Sequence, residues 1–171
     1  GLVFSIDDPV PKFSSHYNRS VQGQVADYVI IMGYDENTAG SETAGSNATL
    51  NSVSEGIHQT EKEVPPAKEI NAMPLYTRLW TESYHNGALE CQTLGMTDAN
   101  AYAREKGMDI YWDAASGQNI AELDTEQNLQ KMWLEDDKSL EERVKPLNTY
   151  QLAGGAFRKL GFESSEIWTL I

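Results

Sequence analysis

The sequence predicts an α/β fold built on parallel strands, and three observations carry that prediction. The run Tyr28-Val29-Ile30-Ile31-Met32-Gly33-Tyr34 is apolar at successive positions, so both its faces must be covered, as in a parallel sheet. Strand-like runs alternate with a helical period in the order β, α, β, α, β, the signature of right-handed crossovers. The two clearest strands also end in chemistry-bearing clusters, Asp35-Glu36 after the first and Tyr76-Thr77-Arg78 after the second.

Each element has its own local reason. Leu2-Val3-Phe4-Ser5-Ile6 is a short apolar run closed by Asp7-Asp8-Pro9-Val10-Pro11, and reads as a buried strand entering a loop. Residues 17–26 fit a helix with Tyr17, Val21 and Val25 on one face. Gly23 weakens that helix by about 1 kcal/mol relative to Ala. The strand over 28–34 gives way to a small, polar loop over 37–46. A helix follows over 48–62 with Leu50, Val53 and Ile57 inward, Pro65-Pro66 stops it, and residues 68–75 return as a strand. Residues 81–96 are polar and poorly periodic, and a long loop is expected there. Residues 97–106 suit a short helix ended by Gly107. Residues 109–113 and 118–122 flank Ser116-Gly117 as a hairpin would, with 130–134 as a third short strand. Ser139 and Glu142 have capping-box spacing and open a helix with Leu140, Val144 and Leu147 inward. A last strand is expected over 153–160, and the start of a final helix over 164–171.

Length and charge narrow what such a fold can do. The 171 residues suit one domain. Thirteen Lys and Arg against 26 Asp and Glu leave a formal charge of −13, which repels phosphate backbones and argues against nucleic acid or an anionic membrane surface as partner. A 40% hydrophobic content is enough to fill a core, which argues against global disorder. No apolar run reaches the roughly 18 residues of a membrane span, and the chain as given opens on no charged-then-apolar leader. The lone Cys91 rules out an internal disulfide and a cysteine-cluster zinc site.

Two motifs could carry chemistry. Tyr34-Asp35 stands at the carboxyl end of a strand, the end at which α/β barrels build their active face. A carboxylate beside a phenol can orient a substrate amide and stabilise charge developing on it. The alternative is a core tyrosine followed by a loop-capping aspartate. Pro74-Leu75-Tyr76-Thr77-Arg78-Leu79-Trp80 places a phenol, a guanidinium and an indole at the end of the next strand. Arg78 could hold the neighbouring carboxylate and the rings could stack on sugar faces, or the segment could be an ordinary salt bridge beside an edge-of-core Trp. His16, His58 and His85 lack metal-ligand spacing, so no metal is expected, and with no P-loop and no G-x-G-x-x-G no other cofactor is expected either. Glu135-Asp136-Asp137 lacks the spacing of a calcium loop and reads as an acidic lead-in to a helix. Cys91 has no basic or histidine neighbour in sequence to make it a nucleophile.

These motifs resemble glycoside hydrolase family 18, the chitinase-like family. Asp27 to Glu36 is similar to that family's sixth-strand D-Y-V-x-x-M-x-Y-D-E, and Pro74 to Trp80 to its seventh-strand P-x-Y-x-R-x-W. Trp133-Leu134-Glu135-Asp136, Ser139-Leu140, Leu152-Ala153-Gly154 and Leu160-Gly161-Phe162-Glu163 resemble the region before and through the eighth strand. The flavour is that of the bacterial spore and cell-wall lytic branch. The resemblance implies the C-terminal half, strands five to eight, of a TIM (β/α)8 barrel, with a small α+β insertion between strands seven and eight. The implied division is 1–80 for strands five to seven, 81–150 for the insertion and a helix, and 151–171 for strand eight and the final helix.

The resemblance also implies a mechanism and a site. The family hydrolyses links beside an N-acetyl sugar by substrate assistance, the amide oxygen acting as internal nucleophile. By motif, Tyr34 and Asp35 would hold and polarise the N-acetyl group in supporting catalytic roles. Arg78 would brace Asp35, and Met32, Glu36, Tyr76, Trp80 and Arg158 would complete the substrate-binding set. Two departures stand out. The fourth-strand D-x-x-D-x-D-x-E, whose glutamate is the general acid, occurs nowhere in this chain, and Arg158 stands where the family usually has the tryptophan floor of the cleavage subsite. Phe157 next door should point the other way. The expected function is therefore part of a glycosidase acting on N-acetylglucosamine-containing glycans, chitin or peptidoglycan, inactive on its own; the alternative is a non-catalytic glycan-binding or scaffolding piece. An N-acetylated glycan is the implied partner, self-association through exposed barrel edges is expected, and the implied location is extracellular, at a bacterial cell wall or spore.

Overall fold

The computed structural model describes residues 18–169 and, as backbone, the strand Leu2–Ser5. The described strands form two sheets. The first is parallel, in the order β1 (Leu2–Ser5), β2 (Val29–Met32), β3 (Glu69–Pro74) and β9 (Gly154–Arg158). The second, antiparallel, runs β5 (Leu89–Gly95), β4 (Tyr76–Ser83), β8 (Asn128–Leu134), β7 (Gln118–Asp124), β6 (Asp109–Asp113). The whole second sheet lies in sequence between β3 and β9.

The parallel sheet follows the predicted crossovers. On β2, Val29 and Ile31 are buried while Ile30 and Met32 on the opposite face are half-buried. Helix α1 (Arg19–Val25) is capped by Asn18, whose side chain accepts from the Val21 amide. Its packing face is not the predicted one. Val21 and Val25 are exposed, and Gly23 turns inward, where an added Cβ would lie 3.4 Å from Val64. The small residue is what lets the helix sit close, so the apolar spacing misled. Tyr17 and His16 lie outside the described residues.

Helix α2 (Leu50–Thr60) starts at Thr49, which caps the Ser52 amide, and buries Val53 and Ile57 as predicted. Helix α4 (Asp137–Thr149) buries Leu140 and Leu147. Its capping box is formed by Asp136 and Ser139, three residues earlier than the Ser139–Glu142 pair expected. The acidic lead-in is thus the cap itself. Helices α2 and α4 share one core with the parallel sheet, through Val53, Ile57, Met73, Leu140 and Leu147. Helix α4 therefore belongs with the first sheet rather than with the segment that precedes it.

The second sheet departs most from expectation. Residues 81–96 form most of a β-hairpin, β4 pairing β5 from Tyr76↔Gly95 to Glu82↔Leu89. Asn86-Gly87 makes the turn: Gly87 has φ 66° and the Asn86 side chain accepts from the Ala88 amide. The sheet begins at Tyr76, so the boundary expected at 80 falls inside β4. Helix α3 (Met96–Lys106), ended by Gly107 at φ 65°, packs Ala99 and Ala103 on Leu79, Ala121, Met132 and Leu134. The β6–β7 hairpin and β8 lie where they were predicted. The last described segment is a 3-10 helix over Ser165–Thr169, within the 164–171 stretch expected to start a final helix.

Candidate functional site

The ends of β2, β9 and the start of β4 meet at the carboxyl edge of the parallel sheet. Asp35, three residues past the end of β2, has φ 65°, a left-handed conformation unusual for a residue with a side chain. The buried Asn47 holds it there: its side-chain oxygen accepts the Asp35 amide at 3.1 Å, and its amide group donates to the Tyr76 carbonyl at 3.1 Å. Asp35 Oδ1 in turn accepts from the Tyr76 hydroxyl at 2.7 Å and from Arg78 Nη2 at 2.6 Å. Asp35 Oδ2 has no hydrogen-bond partner among the described residues. One carboxylate oxygen is thus fixed by the protein while the other is left over.

The charges around Asp35 reinforce one another. Burial, then the hydrogen bond and negative charge of Asp35, push the Tyr76 phenol well above its usual range, so it stays a donor. Burial works against the Arg78 guanidinium, but its bond to Asp35 and the charge there outweigh this and its pKa is raised. Arg78 also lies 5.6 Å from the centre of the Tyr76 ring. Tyr34 is buried and meets Tyr76 edge-on, with ring centres 6.3 Å apart.

A cleft of about 290 Å³ opens in front of this group, lined by Asp35, Tyr76, Arg78, Thr93, Arg158, Lys159 and Phe162. On β9, Gly154, Ala156 and Arg158 share one face, and Arg158 lies 5.7 Å from the centre of the Tyr34 ring. Phe157 is half-buried against the core, on the other face as expected. The far wall comes from the second sheet, whose α3 start docks on the loop after β9: the Met96 amide donates to the Phe162 carbonyl at 2.8 Å.

The predicted residues divide accordingly. Asp35, Tyr76, Arg78 and Arg158 line the cleft, Tyr34 stands directly behind it, and Met32 is half-buried on β2 against the core. Glu36 turns away: its carboxylate accepts the Thr49 amide at 2.8 Å, at the start of α2. Trp80 is corrected outright. It is 1% exposed in the second sheet, with its indole N–H donating to the Gly45 carbonyl at 2.9 Å, and a buried ring has no face for a sugar. Its work is to hold the loop that follows β2. The site assignment missed Asn47, Thr93, Lys159 and Phe162; Phe162 lay inside the eighth-strand motif without a role given to it, Lys159 stood between Arg158 and that motif, and Asn47 and Thr93 had no motif to flag them. Of the histidines, His58 pairs with Glu61 on α2 at 3.3 Å and His85 sits exposed in the β4–β5 turn.

Parallel strands joined by helices, with an acid, a phenol and guanidinium groups gathered at their carboxyl ends, define the class of α/β scaffolds that place chemistry on that edge. The chain belongs to the glycosyl hydrolases family 18, whose pattern matches residues 4–162. It is 24% identical over 161 residues to a cortical fragment-lytic enzyme of Bacillus anthracis, covering 94% of this chain and 37% of that protein. The spore cortex-lytic enzyme SleL of Bacillus megaterium QM B1551 superposes with a TM-score of 0.84 at 20% identity, over 98% of this chain and 39% of that one. A family 18 chitinase of Cycas revoluta, solved with (GlcNAc)3, superposes with a TM-score of 0.79 at 19% identity, over 96% and 52%. The chain therefore spans little more than a third of the curated relative's length.

Proposed function

We propose that this chain forms the acetamido-binding side of a glycosidase cleft acting on N-acetylglucosamine-containing glycans, peptidoglycan or chitin. One observation carries the reading: Asp35 has one carboxylate oxygen fixed by Tyr76 and Arg78 and the other without a hydrogen-bond partner among the described residues, beside an open cleft. A carboxylate so held accepts the acetamido N–H of a bound sugar. That bond aims the acetamido oxygen at the anomeric carbon, and the negative charge steadies the positive charge that develops as the oxygen attacks. Tyr34, behind the site, fixes the ring against which the acetamido group packs. The proton for the leaving group comes from a general acid that this chain's sequence motifs do not contain. In this reading the second sheet with α3 is the insertion between the seventh and eighth barrel strands. The work is done outside the cell, at a bacterial wall or spore, a placement supported by the names of the Bacillus relatives.

Two measurements test this. In calorimetric titration with tri-N-acetylchitotriose, the chain binds the glycan and Asp35→Ala loses at least tenfold in affinity, the worth of a charge-assisted hydrogen bond of about 1.5–3 kcal/mol. On a chromogenic chitobioside the chain gives no turnover. Robust, pH-dependent hydrolysis would overturn the missing acid, and equal binding by Asp35→Ala would remove Asp35 from the site. The second reading, a glycan-binding piece without catalysis, is favoured by one residue, Arg158, in place of a stacking ring.

A further inference from the structure

In a chain with twice as many acids as bases, the cleft wall runs against the overall charge. Its charged lining is Asp35, Arg78, Arg158 and Lys159, and Arg78 is committed to Asp35. Arg158 and Lys159 form no ion pair among the described residues. Both are exposed, and both are held over rings rather than over carboxylates: Arg158 on Tyr34, and Lys159 Nζ 4.4 Å from the centre of Phe162. Glu163, the nearest acid in sequence, accepts the Gly161 amide at 2.6 Å instead of pairing with either.

Two cations with no ion pair among the described residues, in a sugar-sized cleft, select for charge, even though the Tyr34 phenol and the charge of Asp35 already favour the Arg158 cation. An aromatic ring pre-orients a guanidinium without neutralising it, and leaves its planar N–H fork free for a carboxylate. A neutral glycan gives these groups nothing that water does not. We propose that Arg158 and Lys159 make the cleft selective for glycans bearing a carboxylate on or beside the N-acetylated sugar, over neutral N-acetylglucosamine chains. The inference rests on the reading of this cleft as a glycan site, and goes beyond it by naming the ligand's charge and the residues that read it.

The test compares three probes on the same protein by calorimetric titration: the disaccharide of N-acetylglucosamine and N-acetylmuramic acid, its methyl ester, and di-N-acetylchitobiose. The ester removes only the charge, so the comparison needs no variant. The carboxylate form should bind about tenfold or more tightly than the other two, a charge-assisted contact's worth. Added salt should shrink the preference, since the Debye length falls from about 8 Å at 0.15 M to about 3 Å at 1 M. Arg158→Gln and Lys159→Gln, both exposed substitutions, should each narrow the gap and together abolish it. Equal binding of all three probes overturns the selectivity while leaving the glycan site intact. Binding of none overturns the glycan site as well. A preference that survives both substitutions overturns the assignment to Arg158 and Lys159.

Discussion

Asp35 owes its place to its backbone as much as to its side chain. The left-handed turn costs about 1–2 kcal/mol for a residue with a Cβ, and the Asn47 bridge to Asp35 and Tyr76 offsets it. Glu69 is the opposite case, a buried carboxyl without a function assigned. It is 0% exposed on β3, and its oxygens have no hydrogen-bond partner among the described residues. Burial foremost, with the charge of Glu61 adding and that of Arg19 opposing, pushes its pKa from 4.5 up to about 8. Between those values the unfolded chain has released this proton and the folded chain retains it, so the folded state binds more protons. The contribution to stability is therefore full below pH 4.5 and is lost as pH rises through about 8. Glu69→Gln, neutral at every pH, should flatten that decline in urea unfolding measured across the window; a slope identical to that of the parent chain would remove Glu69 as its cause. At this scale the motifs named the Asp35, Tyr76 and Arg78 side chains, because the pairing chemistry is local to two strand ends. They could not name Asn47, which acts through backbone groups twelve and 29 positions away.

Among the elements, the joint between the two sheets is polar. Arg143 of α4, 0% exposed, donates to both Glu135 oxygens and, through Nε at 3.0 Å, to the Ala48 carbonyl ahead of α2. Gln118 of β7 donates to Glu135 at 3.1 Å and accepts from Ser46, and the Glu135 amide donates to Thr77 of β4 at 2.8 Å. This network ties both sheets to the loop that carries Asn47. A buried pair broken on one side leaves an uncompensated charge, whereas replacing both partners removes the desolvation cost as well. Arg143→Met should thus lose about 3–5 kcal/mol in urea unfolding, and the double variant with Glu135→Leu should regain most of it. A loss below about 1 kcal/mol in the single variant would mean the pair is not buried as described. The sequence signalled α4 through Leu140 and Leu147 and flagged Glu135 as polar, but the ion pair joins residues on different elements, which periodicity does not reach. The β4–β5 hairpin was missed for a different reason. Its faces are mixed, Leu89 and Leu94 half-buried among exposed Glu90, Gln92 and Thr93, so no alternation stood out, although Asn86-Gly87 was the turn signal that could have revealed it.

For the molecule as a whole, the parallel sheet has the order β1-β2-β3-β9, and among the described residues β1 and β9 each pair with a single neighbour. The strand order was legible, since apolar runs and crossovers specify parallel neighbours; what stands beside the outer strands was not. A strand with unpaired N–H and C=O groups is a template for another strand, and β9, carrying Gly154 and Ala156 on its cleft face, offers little side-chain bulk to block an approach. Ile30 and Met32, half-buried on the same side of the sheet, add apolar surface that association would cover. Opposing this is the charge of −13, which repels a second copy over the range that salt leaves unscreened. Edge pairing is short-ranged and little affected by salt, whereas the repulsion is not, so the two can be separated. We propose self-association through these edges, and expect the average mass in sedimentation equilibrium to climb above that of a monomer with protein concentration. The climb should be steeper at about 1 M salt than at about 0.15 M, because the Debye length shrinks from about 8 Å to about 3 Å. A monomer at every concentration and both salts would show that the edges are inert; association that weakens with salt would place the contact between charged surfaces instead.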